Sequence, residues 1–423
     1  MHDGAPRDGR TLGASLPVTA TPVTQRLVGT PPHARPSLAS GSVFVTNREA
    51  FLLLALLGEG GNASAFLATP IGTASFCGAI FADFPAWERP GVYPGYHPDD
   101  VALTTFSATL PVVVLKLLTL ETHDLRYHAA LQRLRREASC YGAIHDPRIP
   151  RLVSAGMDPI PHLAIEYFVG PTLRAAMDDH HRRQPPEHMK WRRAYALIER
   201  LATAVGVLHQ QQVIHRDLKP ENIILTSPPG LGEFPRLIDL GAAAYFTTAG
   251  LEGALADVQR EPERITMMTG LVAVTPGYAA PEQYYRDSDP TPATDVYALG
   301  SIAYELFAGR PAFTDERTEA VLAAMNRGVT PFDHPDLSAH ACADVHRVVS
   351  RACAPIQEHR FTSASAFANA LRAVLEEEAH RSRRRTPTLP VQPSRNASAP
   401  RAIPQHVQRV RDHGDEHAEI HDL

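Results

Sequence analysis

Cysteine is scarce in this sequence, with four in 423 residues. Cys77, Cys140, Cys342 and Cys353 stand far apart and form no C-x-x-C pair. That spacing argues against a disulfide framework or a thiolate zinc site, and it suits a reduced, cytoplasmic chain. The 21 histidines form no H-E-x-x-H pattern. No apolar run approaches the ~20 residues that a membrane-spanning helix needs, so no integral membrane segment is expected. The longest such run, Phe51–Leu57, reads as a strand. The first thirty residues lack the apolar centre of a signal peptide, so no leader is expected. Charge of one sign is missing too. Lys and Arg number 41 against 46 Asp and Glu, a formal net charge of −5, and no nucleic-acid or membrane-surface partner is expected.

What is present suits a folded protein. Hydrophobic residues make up 44% of the chain, enough for a sizeable core. The length allows one large two-lobed domain with tails, or two to three smaller ones. Residues 1–42 are rich in Pro, Thr, Ala and Gly without periodicity, the composition of a disordered tail. After Glu376 the apolar pattern dissolves again, and a basic run, Arg381-Ser-Arg-Arg-Arg-Thr-Pro387, opens a second tail over 377–423.

The densest chemistry lies in Val213-Ile-His-Arg-Asp-Leu-Lys-Pro-Glu-Asn-Ile-Ile-Leu225. One short loop carries a carboxylate (Asp217), an ammonium (Lys219) and an amide (Asn222). A carboxylate beside a hydroxyl can accept its proton, and an amide oxygen suits Mg²⁺, a hard cation. The stretch resembles the catalytic loop of the protein kinase family, H-R-D-L-x-x-x-N, and its Asp-Leu-Lys-Pro-Glu-Asn wording resembles the serine/threonine branch.

Other segments carry the same resemblance in the family's order. Gly58-Glu-Gly-Gly-Asn-Ala-Ser-Ala65 resembles the glycine-rich loop, with Ala63 for its third glycine and Ala65 for its usual valine. Pro111-Val-Val-Val-Leu-Lys116 resembles the V-A-I-K strand, with Val114 for alanine. Volume lost at Ala65 and gained at Val114 reads as a compensating pair. In the helical pattern over 122–138, Glu137 shares the apolar face and is the expected partner of Lys116, with Glu121 the alternative. Asp239-Leu-Gly241 resembles D-F-G, and Val274-Thr-Pro-Gly-Tyr-Ala-Ala-Pro-Glu-Gln283 resembles the end of a bacterial-type activation segment.

The resemblance implies an α+β, bilobal kinase fold with ATP in the cleft. The kinase domain would span 43–376, with an N-lobe over 43–166, an insertion at 69–110 and a C-lobe over 167–376. Leu57, Gly58, Gly60, Ala65, Val114, Lys116, Glu166, Phe168 and Ile224 would surround the nucleotide. Asp217 would take the hydroxyl proton and Lys219 would neutralise the moving phosphoryl group. Glu137 would fix Lys116, Asn222 and Asp239 would hold Mg²⁺, and Thr275 would meet the acceptor. Arg216 would pair with a phosphorylated loop residue, Thr266 or Thr269. Asp295 would hold the catalytic loop, and Arg360 would pair with Glu282. The implied activity is transfer of the γ-phosphoryl of Mg-ATP to Ser and Thr of protein substrates. Alternatives are a pseudokinase scaffold without turnover and a small-molecule phosphotransferase. The insertion is a surface loop or the docking place of a regulatory partner.

Overall fold

A computed structural model describes residues 38–40, 42–60, 62–72, 91–93, 112–182, 189–245, 276–285, 291–314 and 317–385. Two compact units divide the chain, Met1–Glu378 and Ala379–Leu423. The first holds everything below except the last turns of the final helix.

The apolar, β-branched segments near the start form one seven-stranded antiparallel sheet. Its strands are β1 (Val43–Val45), β2 (Ala50–Glu59), β3 (Ala63–Gly72), β4 (Gly91–Tyr93), β5 (Val113–Leu118), β6 (Leu152–Gly156) and β7 (His162–Glu166). The order across the sheet is β4-β1-β2-β3-β5-β7-β6. Period-two alternation decides which face each side chain takes. Val113, Leu115 and Leu117 of β5 enter a small core with Phe44, Phe51, Leu53, Phe66 and Ala164. Val114 and Lys116 point to the opposite, half-buried face.

The insertion expected over 69–110 is shorter at one end and anchored in the middle. β3 runs on to Gly72 because the apolar start of β2, Ala50–Leu53, is paired along its length. Gly91–Tyr93 then returns to the sheet and pairs with β1, Val43 opposite Tyr93.

Helix α1 (Tyr127–Ala143) packs on this sheet and buries Leu131, Leu134, Glu137, Cys140 and Tyr141. The C-lobe is helical: α2 (Leu173–Arg182), α3 (Trp191–Gln210), α4 (Pro292–Ala308), α5 (Thr318–Arg327), α6 (Ala339–Ala352) and α7 (Ala364–Arg385). The stripe Ala194, Leu197, Ile198, Leu201, Val205 and Leu208 is the buried face of α3. Helix α4 is buried without interruption from Thr294 to Phe307. Its start is fixed by the Thr291 hydroxyl, which accepts from the Ala293 N–H, and by Pro292 in the first turn. A Cβ at Gly300 would lie 2.8 Å from the Ala352 Cβ, so glycine is what lets α4 and α6 pack this closely.

The Ser363 hydroxyl caps α7 by accepting from the Ala366 N–H at 3.0 Å, as the sequence predicts. The helix passes its expected end at Glu376 and continues to Arg385. The apolar stripe stops there, but the run of Glu, Ala and Arg residues keeps a high intrinsic preference for helix. Among the described residues no helix is long and apolar enough to cross a membrane.

Candidate active site

Two short ribbons present the polar loop. β8 (Val213–Ile214) pairs with β11 (Ala244–Tyr245), and β9 (Ile223–Thr226) pairs with β10 (Phe234–Leu237). In the second ribbon Ile223 faces Leu237, and the Ile238 N–H donates to the Asn222 carbonyl at 2.9 Å. This register brings Asp239 beside Asn222.

The loop between β8 and β9 is held from below. Asp295 of α4, fully buried, accepts hydrogen bonds from His215 N–H and Arg216 N–H, each at 2.9 Å, and from His209 Nε2 at 2.8 Å. Burial alone would raise the Asp295 carboxyl, but His209 and the backbone donor bring it below its ordinary value. The anchor offsets a strained backbone, since Arg216 has φ 68°, a left-handed conformation unusual for a non-glycine residue. Gln283 Nε2 donates to the Arg216 carbonyl at 2.7 Å and ties the loop to the Ala-Pro-Glu-Gln segment.

Within the loop the predicted groups converge. Lys219 Nζ donates to both Asp217 oxygens, at 3.1 and 2.8 Å. Asn222 Nδ2 donates to the Asp217 carbonyl at 2.8 Å and to Oδ2 at 3.0 Å, which leaves its amide oxygen for another partner. Asp217 is thus oriented by two neighbours, and 22% of its side chain remains exposed.

A second cluster faces it. Lys116 Nζ donates to Glu137 Oε1 at 2.6 Å and to Asp239 Oδ1 at 2.8 Å. Burial opposes the charge on Lys116, but the two carboxylates outweigh it and the ammonium is retained. Burial also acts to raise Asp239, yet Lys116 brings that carboxyl down to about 2. The side chain of Asp239 keeps 45% of its surface exposed, and no described residue bonds its Oδ2. Glu121, the alternative partner of Lys116, sits 3.2 Å from His123 instead.

Of the expected nucleotide-surrounding residues, Ala65, Val114 and Lys116 share one face of the sheet, whereas Glu166 is paired with Val113, and Phe168 and Ile224 lie outside the sheet. Ala65 is opposite Gly58 on one side and Lys116 on the other. Val114 is opposite Leu67 and Ile165. Ala65 and Val114 are therefore diagonal neighbours on the same face of the sheet. Leu57, Gly58 and Gly60 are exposed at the tip of the β2–β3 hairpin, where the Gly60 N–H donates to the Ala63 carbonyl. Glu166 ends β7. Phe168 turns its buried ring against the Arg236 guanidinium, 4.3 Å from the ring centre, and no described residue bonds its N–H. Ile224 is half-buried on β9. Thr275, Thr266 and Thr269 lie outside the described residues.

Lower in the lobe Arg360 donates to both Glu282 oxygens at 2.7 Å, both side chains being buried. Losing one partner of such a pair costs about 3–5 kcal/mol. Several groups were given no role from sequence: Tyr141, His209, Gln283, and a network in which Arg174 bonds Glu221, Glu305 and Tyr278. Tyr141 follows Glu137 by one helical turn, a spacing that places both on one face and was the available signal. Arg174 and Glu305 are 131 positions apart, and no local pattern connects them.

Comparison with known proteins agrees with this geometry. The protein kinase domain family matches residues 101–371, more than half of the chain. The match begins beyond the glycine hairpin, which the sheet register joins to β5. Serine/threonine-protein kinase Pkn1 of Myxococcus xanthus is 31% identical over 271 residues, 63% of this chain and 35% of that protein. PknB of Mycobacterium tuberculosis is 30% identical over 238 residues, 55% of this chain and 34% of its own length. PknD of the same species is 27% identical over 263 residues, 61% and 35% respectively. The similarity thus spans about a third of each relative. With the family match over both lobes and the two polar clusters meeting across Asn222 and Asp239, this chain belongs to the protein kinase family.

Proposed function

We propose that the chain is a serine/threonine protein kinase that transfers the γ-phosphoryl of ATP to hydroxyls of protein substrates, with Mg²⁺ as the metal, in the cytoplasm. The observation that carries this is Asp217 held in place by Lys219 and Asn222, opposite Lys116 held by Glu137. Asp217 is held in an oriented pose by Lys219 and Asn222, so its carboxylate can accept the acceptor proton. Lys219 lies within reach of the same carboxylate and can turn to the transferred phosphoryl group as charge develops there. Lys116 keeps its charge and is positioned for the inner phosphates. Because these groups are prearranged, little reorganisation remains at the moment of transfer.

The residues present fit a hard divalent cation. Asn222 has its amide nitrogen engaged and its oxygen available, and Asp239 is ionised with one oxygen unused. Among the described residues no three His, Cys, Asp or Glu converge into an all-protein metal cage. Asn222 and Asp239 would supply oxygen donors of the kind Mg²⁺ favours. When bound, the cation neutralises phosphate charge. Leu57, Gly58, Gly60, Ala65, Val114 and Ile224, with the backbone of Glu166 and Phe168, would enclose the base and sugar.

Regulation by loop phosphorylation fits the charge near Arg216. Burial lowers the Arg216 guanidinium, and Arg136 and Arg133 of α1 lower it further. Its Nε is buried without a partner among the described residues. Three arginines with a buried unpaired donor suit a phosphorylated Thr266 or Thr269, with Thr275 meeting the acceptor. A protein partner at the insertion remains part of this reading.

Transfer of label from γ-labelled ATP with Mg²⁺, for wild type beside Asp217→Asn, tests the proposal. Wild type should label Ser or Thr, and the variant should lose about 10²–10⁴-fold. Nucleotide binding with no label in either protein, across a protein substrate panel, would overturn it.

A further inference from the structure

The β1–β2 hairpin buries both of its faces, and the two apolar clusters of described residues account for only one. Phe44, Phe51 and Leu53 point into the small core, where the Phe44 ring meets the His162 ring edge-on, centres 5.0 Å apart. By alternation Val43, Val45, Ala50 and Leu52 point the other way. They are 0–1% exposed, yet none belongs to either cluster. Leu52 lies opposite Thr69, and period two carries this second face along β3 to Leu67 and Ala65, which are only half-buried. The face is thus closed to water near β1, where neither cluster supplies a cover.

The sheet register shows what can reach it. Gly72, Ala50, Val45 and Gly91 form one row across β3, β2, β1 and β4. Residues 73–90 join the two ends of that row. Those ends are three strand spacings apart, about 14 Å. A chain of that length can extend to about 60 Å, several times what the crossing needs. A direct path from Gly72 to Gly91 passes over Ala50 and Val45 on one side or the other. The side toward the small core is already filled by Phe44, Phe51 and Leu53. The segment itself carries Phe76, Ile80, Phe81, Phe84 and Trp87. Large apolar side chains gain by leaving water, and so does the uncovered face. Residues 94–111 also start beside this face, at Tyr93, but carry two such rings, Tyr96 and Phe106, against four in 73–90.

We propose that the second face of β1–β2 is an intramolecular docking surface whose occupant is residues 73–90 of the same chain. The aromatic side chains of that segment cover Val43, Val45, Ala50 and Leu52. The first half of the insertion is then part of the packing of the sheet, and the added strands β1 and β4 exist to present a surface for it. This inference goes beyond the kinase reading and does not depend on it.

Thiol accessibility in the full chain tests this, with iodoacetamide as the probe. Cys140, Cys342 and Cys353 are buried, so Leu52→Cys in a Cys77→Ser background places one reporter thiol on the face. The reporter should stay unlabelled at every protein concentration. Replacing Phe76, Phe81, Phe84 and Trp87 with serine should speed its labelling at least about tenfold, the factor that 1.4 kcal/mol of lost docking gives. The three buried cysteines should stay unlabelled in that variant, which shows that the rest of the fold is intact. Replacing Tyr96 and Phe106 with serine, or removing residues 1–37, should leave the reporter protected. Fast labelling with the four rings in place would show an open face and overturn the proposal. So would protection that survives the four serines, which would assign the cover to another segment. Protection lost on dilution would also overturn it, because the cover would then be a second copy of the chain. Chymotrypsin digestion of wild type needs no substitution in the core. Cutting after Phe76, Phe81, Phe84 and Trp87 should be resisted, and first cleavage at those positions would overturn the proposal even if Leu52→Cys failed to fold.

Discussion

Asp295 shows how much one buried carboxylate can organise. It sits on α4, accepts from two consecutive backbone N–H groups, and is paired with His209. Replacing it with asparagine puts an NH₂ against one of those donors. The expected loss is about 2 kcal/mol near neutral pH, the scale of a lost charge-assisted bond. The folded-state carboxyl lies below its ordinary value, so its contribution is fully present above the unfolded value near 3.9. The contribution then fades as pH falls through the folded value. Denaturant titrations of wild type and Asp295→Asn should therefore differ by a constant amount from pH 7 to about 4, and the gap should narrow below that. A gap that widened on acidification would contradict this sign.

At the scale of elements, the strand pair β3–β5 carries a substitution that only the register makes intelligible. Ala65 and Val114 are diagonal neighbours on the same face of the sheet. If they exchange volume, Ala65→Val alone should crowd the nucleotide and lower ATP affinity. Together with Val114→Ala it should restore or raise affinity above wild type, with a coupling of about 0.5–3 kcal/mol in a double-mutant cycle. Equal affinity gains for Ala65→Val with and without the second change would show independent sites. The catalytic loop, Lys116–Glu137 and Asp239 were legible in the sequence because each sits in a motif or on a periodic face, and Asp295 and the Arg360–Glu282 pair because the family resemblance implies them. The extension of β3, the return of Gly91–Tyr93 to β1 and the Arg174–Glu305 bond were not. Each depends on residues far apart in the chain, and the return strand is only three residues long. The end of α7 was misplaced for a different reason: its extension is polar, with Glu378 buried against Ser338, and leaves no apolar stripe to follow.

For the molecule as a whole, the proposed function has nucleotide and metal engage both lobes, Lys116 from the sheet and Asp217, Asn222 and Asp239 from the C-lobe. Ligand that binds only the folded state should stabilise it by mass action, about 2.7 kcal/mol at roughly a hundredfold excess over Kd. Thermal unfolding with ATP and Mg²⁺ should show a clear upward shift in wild type. In Asp239→Asn the part of that shift that needs Mg²⁺ should vanish. A full Mg²⁺-dependent shift in the variant would place the metal elsewhere.

Helix α4 has a consequence that reaches past the site. It is covered from Thr294 to Phe307, with α3 and α6 packed against it and the catalytic loop hung from Asp295. A helix with no solvent-facing side has no half-docked form that leaves its apolar surface dry. The elements around α4 therefore acquire their stability together, and the lobe behaves as one cooperative folding unit. Any weakening at its periphery draws on the same reserve that keeps Arg216 in its left-handed pose and Asp217 held between Lys219 and Asn222.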